Sequence, residues 1–114
     1  MKEYAIITLG VRNRGVIQAM YSVNELAAIV TDIVAPYSVT KVFLVGSYAK
    51  DAAVETSDID LVIDGEDLSD AYWDILFQLE DRLKVPIDMM TMRGLEGSIL
   101  KDSVLSGGLP LYEA

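Results

Sequence analysis

Histidine and cysteine are both absent from this chain of 114 residues. Without cysteine there is no disulfide and no thiolate metal site. Without histidine there are no imidazole metal ligands, no histidine-based triads and no histidine acid–base chemistry. Any metal bound here has to be held by oxygen. Basic residues are scarce as well: 9 Lys and Arg stand against 18 Asp and Glu, for a net charge of −9. Such a surface repels a polyanion, so direct nucleic-acid binding is not expected, and a small molecule or a protein, particularly a basic one, suits it better. No apolar run approaches the length of a membrane span, and no membrane association is expected. The opening Met1-Lys2-Glu3-Tyr4 carries an acid and leads into no clean apolar segment ending in small residues. A signal peptide is therefore not expected, and the cytoplasm is the expected compartment. What is abundant is apolar side chain: 52% of residues, enough for the core of one domain.

Residues 1–21 read either as an N-terminal extension or as a hairpin. In the hairpin, Tyr4–Val11 and Val16–Tyr21 flank the turn Arg12-Asn13-Arg14-Gly15. Arg12 and Arg14 then either reach a ligand or sit on a solvated turn. From Ser22 the signals sharpen. Ser22-Val23-Asn24-Glu25 has the spacing of a capping box, and apolar residues recur at helical intervals to Val34 before Pro36, which predicts a helix over 23–35. Residues 42–45 predict a first core strand, and 58–64 a second that stops at Asp64-Gly65. A helix capped by Ser69 or Asp67 runs to about Leu83, its buried stripe including Tyr72, Ile75 and Leu79. Trp73 falls off that stripe and marks either a protein interface or the edge of the core. Residues 85–90 predict a third strand, with Pro86 at its start or on an edge. A break over Gly94–Gly97, a helix from Ser98 to Leu105 ended by Gly107-Gly108, and a short extended tail, Leu109-Pro110-Leu111-Tyr112, complete the chain. The order predicts an α/β (α+β) domain: a small mixed sheet of three to four strands, covered by helices mainly on one face.

The chemistry concentrates between Val42 and Asp60. An apolar run, Val42-Phe43-Leu44-Val45, ends at Gly46-Ser47; ten residues follow, and then comes Asp58-Ile59-Asp60. Gly46 lets backbone approach a ligand closely, and Ser47 opens a short helix expected from about Ser47 to Asp51, where an anion such as phosphate can be held. Alternation along a strand puts Asp58 and Asp60 on one face and Ile59, Leu61 and Ile63 on the other. Two carboxylates about 4 Å apart cost roughly 4 kcal/mol at an effective dielectric near 20. A divalent cation with oxygen ligands, such as magnesium, relieves that cost and can also hold a substrate phosphate. Asp88 lies opposite Val85, Ile87 and Met89 on the third strand. It either completes a triad with Asp58 and Asp60, if the strands are neighbours, or faces solvent on an edge strand. Three such carboxylates near a Gly-Ser turn suit two-metal phosphoryl chemistry, in which the third can also accept the proton of an attacking hydroxyl.

Gly46-Ser47, the gap, Asp58-Ile59-Asp60 and a later Asp88 together resemble the DNA polymerase beta-type nucleotidyltransferase superfamily. The size, the starting helix and the Leu109-Pro110-Leu111-Tyr112 ending resemble its smallest branch, the minimal nucleotidyltransferase antitoxins, often encoded beside a HEPN-domain toxin. The resemblance covers roughly residues 22–114. It implies that Gly46 and Ser47 hold a nucleoside triphosphate (NTP, with ATP first among them) and that Asp58, Asp60 and Asp88 are both catalytic and ligands of two magnesium ions. It further implies transfer of a nucleoside monophosphate to a hydroxyl, here a tyrosine of a HEPN-type toxin, with loss of pyrophosphate. Tyr48 and Asp51 depart from the pattern, standing where that family often has a basic residue and a glycine. Triphosphate, two magnesium ions and three carboxylates sum to about −3, so a cation is wanted, and Lys50 is the local candidate. Two other functions compete: an antitoxin that neutralises its partner by binding alone, and a small-molecule nucleotidyltransferase, for which the short chain leaves little room.

Overall fold

The computed structural model describes residues 21–49 and 58–114. The hairpin considered for residues 1–21 lies outside the described residues apart from Tyr21, whose hydroxyl donates to the Leu83 carbonyl at 2.7 Å. The first helix, α1 (Val23–Val34), starts as its sequence dictates. The Ser22 hydroxyl accepts from the Glu25 amide at 3.0 Å, and Glu25 accepts from the Ser22 amide at 2.8 Å. Two otherwise orphaned N–H groups are thereby satisfied. Leu26, Val30, Ile33 and Val34 form its buried face.

Strand β1 (Val39–Val45) follows and begins three residues earlier than the apolar run suggested. Thr40 and Lys41 face solvent there, so only Val39 marked the extra length. The helical turn α2 (Gly46–Ala49) leaves β1 directly. Strand β2 (Ile59–Gly65), helix α3 (Ser69–Leu83), strand β3 (Ile87–Thr91), a 3₁₀ turn at Arg93–Leu95, helix α4 (Ile99–Gly107) and strand β4 (Leu109–Glu113) complete the described order. Three expectations need correction. Neither Asp67 nor Ser69 caps α3: its N-cap is Leu68, with no side-chain bond, because that side chain packs on the core while Asp67 takes a left-handed turn (φ 54°). The third strand starts after Pro86, not at Val85. Pro86 itself contributes its carbonyl, which accepts from the Ile59 amide at 3.1 Å. The short extended tail is a strand of the sheet, because its backbone pairs antiparallel with β1.

The sheet has the order β3-β2-β1-β4. β1 runs antiparallel to β2 and β4, and β2 runs parallel to β3, so the sheet is mixed, as expected. One face carries Val42 and Leu44, Ile59, Leu61 and Ile63, Ile87 and Met89, and these merge with the buried faces of α1 and α3 into the main core. The second face is not bare. Val62 packs with Met92, Leu95 and Val104 in a smaller cluster under the 3₁₀ turn and α4. That cover stops short of the beginning of β2, and there the acidic residues stand.

Helix α3 ends at Lys84, whose backbone is left-handed (φ 61°). An L side chain pays about 1–2 kcal/mol for that conformation, part of which glycine gives back in unfolded-state entropy. The Lys84 ion pair with Asp81 is long, at 3.4 Å, and exposed, and such pairs contribute little. Lys84→Gly is therefore expected to raise unfolding free energy by about 0.5–1 kcal/mol, read as a higher denaturant midpoint at unchanged slope.

Candidate active site

Three elements converge on Asp60. It pairs across the antiparallel ladder with Val45, the last residue of β1, and across the parallel ladder with Asp88 of β3. Residues paired in register point to the same side of a sheet, so Asp60 and Asp88 share the second face. Asp58 lies two residues before Asp60 and immediately before β2. Among the described residues β3 is an edge strand, Asp88 is exposed on it, and it stands in register with Asp60.

Gly46 is where this arrangement constrains the sequence most tightly. Its φ is +73°, a region L side chains rarely adopt. A Cβ placed there would lie 2.2 Å from Asp60 Oδ2 and 3.1 Å from its Cγ. The absent side chain is thus first a berth for the Asp60 carboxylate, and this fixes the end of β1 and its turn against the acidic residue.

Asp60 is half-buried, whereas Asp58 and Asp88 are exposed. Burial pushes the Asp60 carboxyl above the ordinary aspartate range, and the charges of Asp88 and then Asp58 push it further. The charges of Asp88 and Asp58 thus oppose the ionisation of Asp60. Among the described residues no three acidic side chains are arranged as a ready metal site. The donor set nonetheless suits a hard divalent ion. All donors are carboxylate oxygens, their mutual repulsion is what such an ion relieves, and the two outer side chains are exposed.

Ser47 is the second residue of α2. Lys50 and Asp51 lie outside the described residues, as does the loop to Ser57. Tyr48, noted above as a departure from the family pattern, is a core residue: it is buried in the main cluster, and burial raises its pKa. Tyr72 was read only as part of the α3 stripe, yet it belongs to the surroundings of the site. Its hydroxyl donates to the Met89 carbonyl, and burial followed by the Asp88 charge raises its pKa. Its helical spacing signalled burial; nothing in the sequence signalled the neighbouring carboxylate.

Known proteins share family and fold with this chain. The family described as "Nucleotidyltransferase domain" matches residues 23–107. A Methanocaldococcus jannaschii protein named "Putative protein adenylyltransferase MJ0435" is 30% identical over 88 residues, covering 75% of this chain and 92% of that protein. Among solved structures, a toxin–antitoxin with AMP-PNP superposes with a TM-score of 0.67 at 21% identity, over 77% of this chain and 73% of that one. The toxin–antitoxin MntA-HepT does so with a TM-score of 0.59 at 20% identity, over 77% and 70%. At these identities the two structures establish the fold.

The raised pKa of Asp60 has a consequence for stability. Ionising Asp60 is harder in the folded chain than in the unfolded one. The resulting penalty is absent below the unfolded carboxylate's pKa of about 3.9, grows as pH rises through the folded value, and persists above it. In metal-free protein, Asp60→Asn is expected to melt at a higher temperature than the parent at pH 7. The difference should vanish near pH 3; a gain of equal size at both pH values contradicts the electrostatic account.

Proposed function

The chain belongs to the nucleotidyltransferase domain family, and on that premise we propose that it transfers a nucleoside monophosphate from an NTP, ATP first among them, to a tyrosine hydroxyl of a HEPN-type toxin, acting as its antitoxin. The observation that carries this reading is Asp60, set in register with Asp88, two residues from Asp58, and seated against the glycine that ends β1. Support for the nucleotide comes from the solved neighbour with AMP-PNP, and for the role from the toxin–antitoxin pairs among the neighbours. Support for a protein acceptor comes from the name of the M. jannaschii relative.

In the reaction the acceptor oxygen attacks the α-phosphorus of the NTP. The new O–P bond forms as the bond from that phosphorus to the bridging oxygen breaks, and pyrophosphate leaves with the bridging oxygen. Asp88, exposed on the edge strand, accepts the proton of the attacking hydroxyl. Gly46 and Ser47 line the phosphates at the end of β1, and Lys50 offsets their charge. Asp58, Asp60 and Asp88 would hold two magnesium ions, which supply charge neutralisation and polarisation of the phosphoryl oxygens. Asp60, fixed by Gly46 and its two ladder neighbours, orients the set.

Co-expression of the toxin followed by intact-mass measurement tests this reading. The parent chain is expected to add the mass of one or more nucleotides to the toxin. Asp58→Ala with Asp60→Ala should lower modification at least about 10³-fold, the scale on which removing preorganised charge stabilisation acts. An unmodified toxin in the presence of parent chain and ATP overturns the proposal. Full neutralisation by the double variant without modification would leave binding alone as the antitoxin activity.

A further inference from the structure

Helix α3 presents to solvent a face that its own fold does not use. Trp73 is 55% exposed and Phe77 60% exposed, and they stand one turn apart. Their ring centroids lie 6.0 Å apart at an interplanar angle of 34°, and Trp73 also meets Tyr72 edge-on at 5.0 Å. Leaving two stacked aromatic rings in water forgoes burial worth about 25 cal/mol per Å² of apolar surface. Exposed aromatic clusters of this kind mark interaction sites, and tryptophan is over-represented among the residues that dominate interface energies.

The surroundings of the pair state the chemistry of what covers it. Asp70 and Asp74 are exposed on the same helix at the spacing that flanks Trp73, and among the described residues neither forms an ion pair. Next to Trp73 a cleft of about 380 Å³ opens between the start of α3 and the end of β3, with Asp64, Asp67 and Arg93 among its lining residues. An aromatic platform edged with unpaired carboxylates, beside an acid-lined cleft, matches a surface of basic and apolar side chains. A second copy of this chain does not fit: it carries a net charge of −9 itself and would bring the same carboxylates face to face.

Position adds a further argument. Tyr72, in edge contact with Trp73, donates its hydroxyl to β3 at Met89, the residue after Asp88. Among the described residues β3 is an edge strand of the sheet. Tyr72 thereby ties the helix that bears the Trp73–Phe77 face to the strand that carries Asp88. We propose that the Trp73–Phe77 face of α3 is the docking surface for a basic protein substrate, holding it while the carboxylates at the edge of the same sheet act on it. This rests on the transfer to a toxin put forward above and adds where that toxin sits.

Trp73 is the chain's single tryptophan, so biosynthetic 5-fluorotryptophan gives one ¹⁹F resonance that reports this face alone. The labelled chain is titrated with unlabelled HEPN-type toxin, and affinity is measured in parallel by calorimetry for the parent, for Trp73→Ala with Phe77→Ala, and for Asp70→Lys with Asp74→Lys. Expected are a shifted ¹⁹F resonance that saturates with the toxin, at least a 30-fold loss of affinity in each double variant, and unchanged AMP-PNP affinity in both. Circular dichroism checks the fold, and the charge-reversal variant, which leaves the aromatic pair in place, serves if the alanine variant unfolds. Toxin binding with an unmoved resonance and unaltered affinities overturns the docking surface while leaving nucleotidyl transfer standing. A toxin that neither binds nor is modified overturns the antitoxin reading and this proposal with it. A resonance that shifts with the concentration of the chain alone identifies a second copy as the occupant and overturns the choice of partner.

Discussion

The Asp60 carboxylate rests where the side chain of Gly46 would be, and most of the site follows from that contact. It requires a residue without Cβ at the end of β1, and it sets the turn into α2 against the start of β2. Asp60 is also held between a buried strand end and two further acids, so its charge is costly to keep. A fold keeps such a residue when the carboxylate has a use that offsets the cost. The use proposed above is a cation that the three acids would share in a chain of the nucleotidyltransferase domain family.

The sheet makes this contact possible. A parallel β2–β3 pair needs a crossover, which α3 supplies, and the register brings Asp88 level with Asp60. The antiparallel β1–β2 pair brings Gly46 next to Asp60 from the other side. Helices α1 and α3 close the main core on one face, and the 3₁₀ turn and α4 cover only part of the other. Among the described residues, Asp58 and Asp88 are left exposed beside half-buried Asp60. The same crossover helix completes the core on one face and leaves Trp73 and Phe77 exposed on the other.

Much of this was legible in the sequence because the signals were strong where they mattered. The capping box at Ser22 and the 3.6-residue stripe of α1 gave its bounds within one residue. Asp60 stood out as a carboxylate inside an apolar strand, and its alternation with Ile59 and Leu61 gave its face. Less legible were elements defined by partners and not by local pattern. β4 has only five residues and contains Pro110; pairing with β1 makes it a strand. α3 begins without a side-chain cap because Leu68 is used for packing, so no polar signature could mark the spot. The role of Gly46 was read as room for a ligand, whereas the nearest atom is Asp60 Oδ2, and no one-dimensional pattern contains that distance. Tyr48 likewise read as a missing cation until its burial showed it to be core.

The claim on which everything above turns is that the Asp58, Asp60 and Asp88 cluster moves a nucleotide, and not a terminal phosphate, onto a protein. Labelled ATP decides it most directly. Purified chain and toxin are incubated with magnesium and ATP carrying phosphorus-32 either at the α or at the γ position, and the toxin is then counted. The account predicts label on the toxin from the α position, none from the γ position, and pyrophosphate released in proportion. Label from the γ position, or from neither, would contradict it.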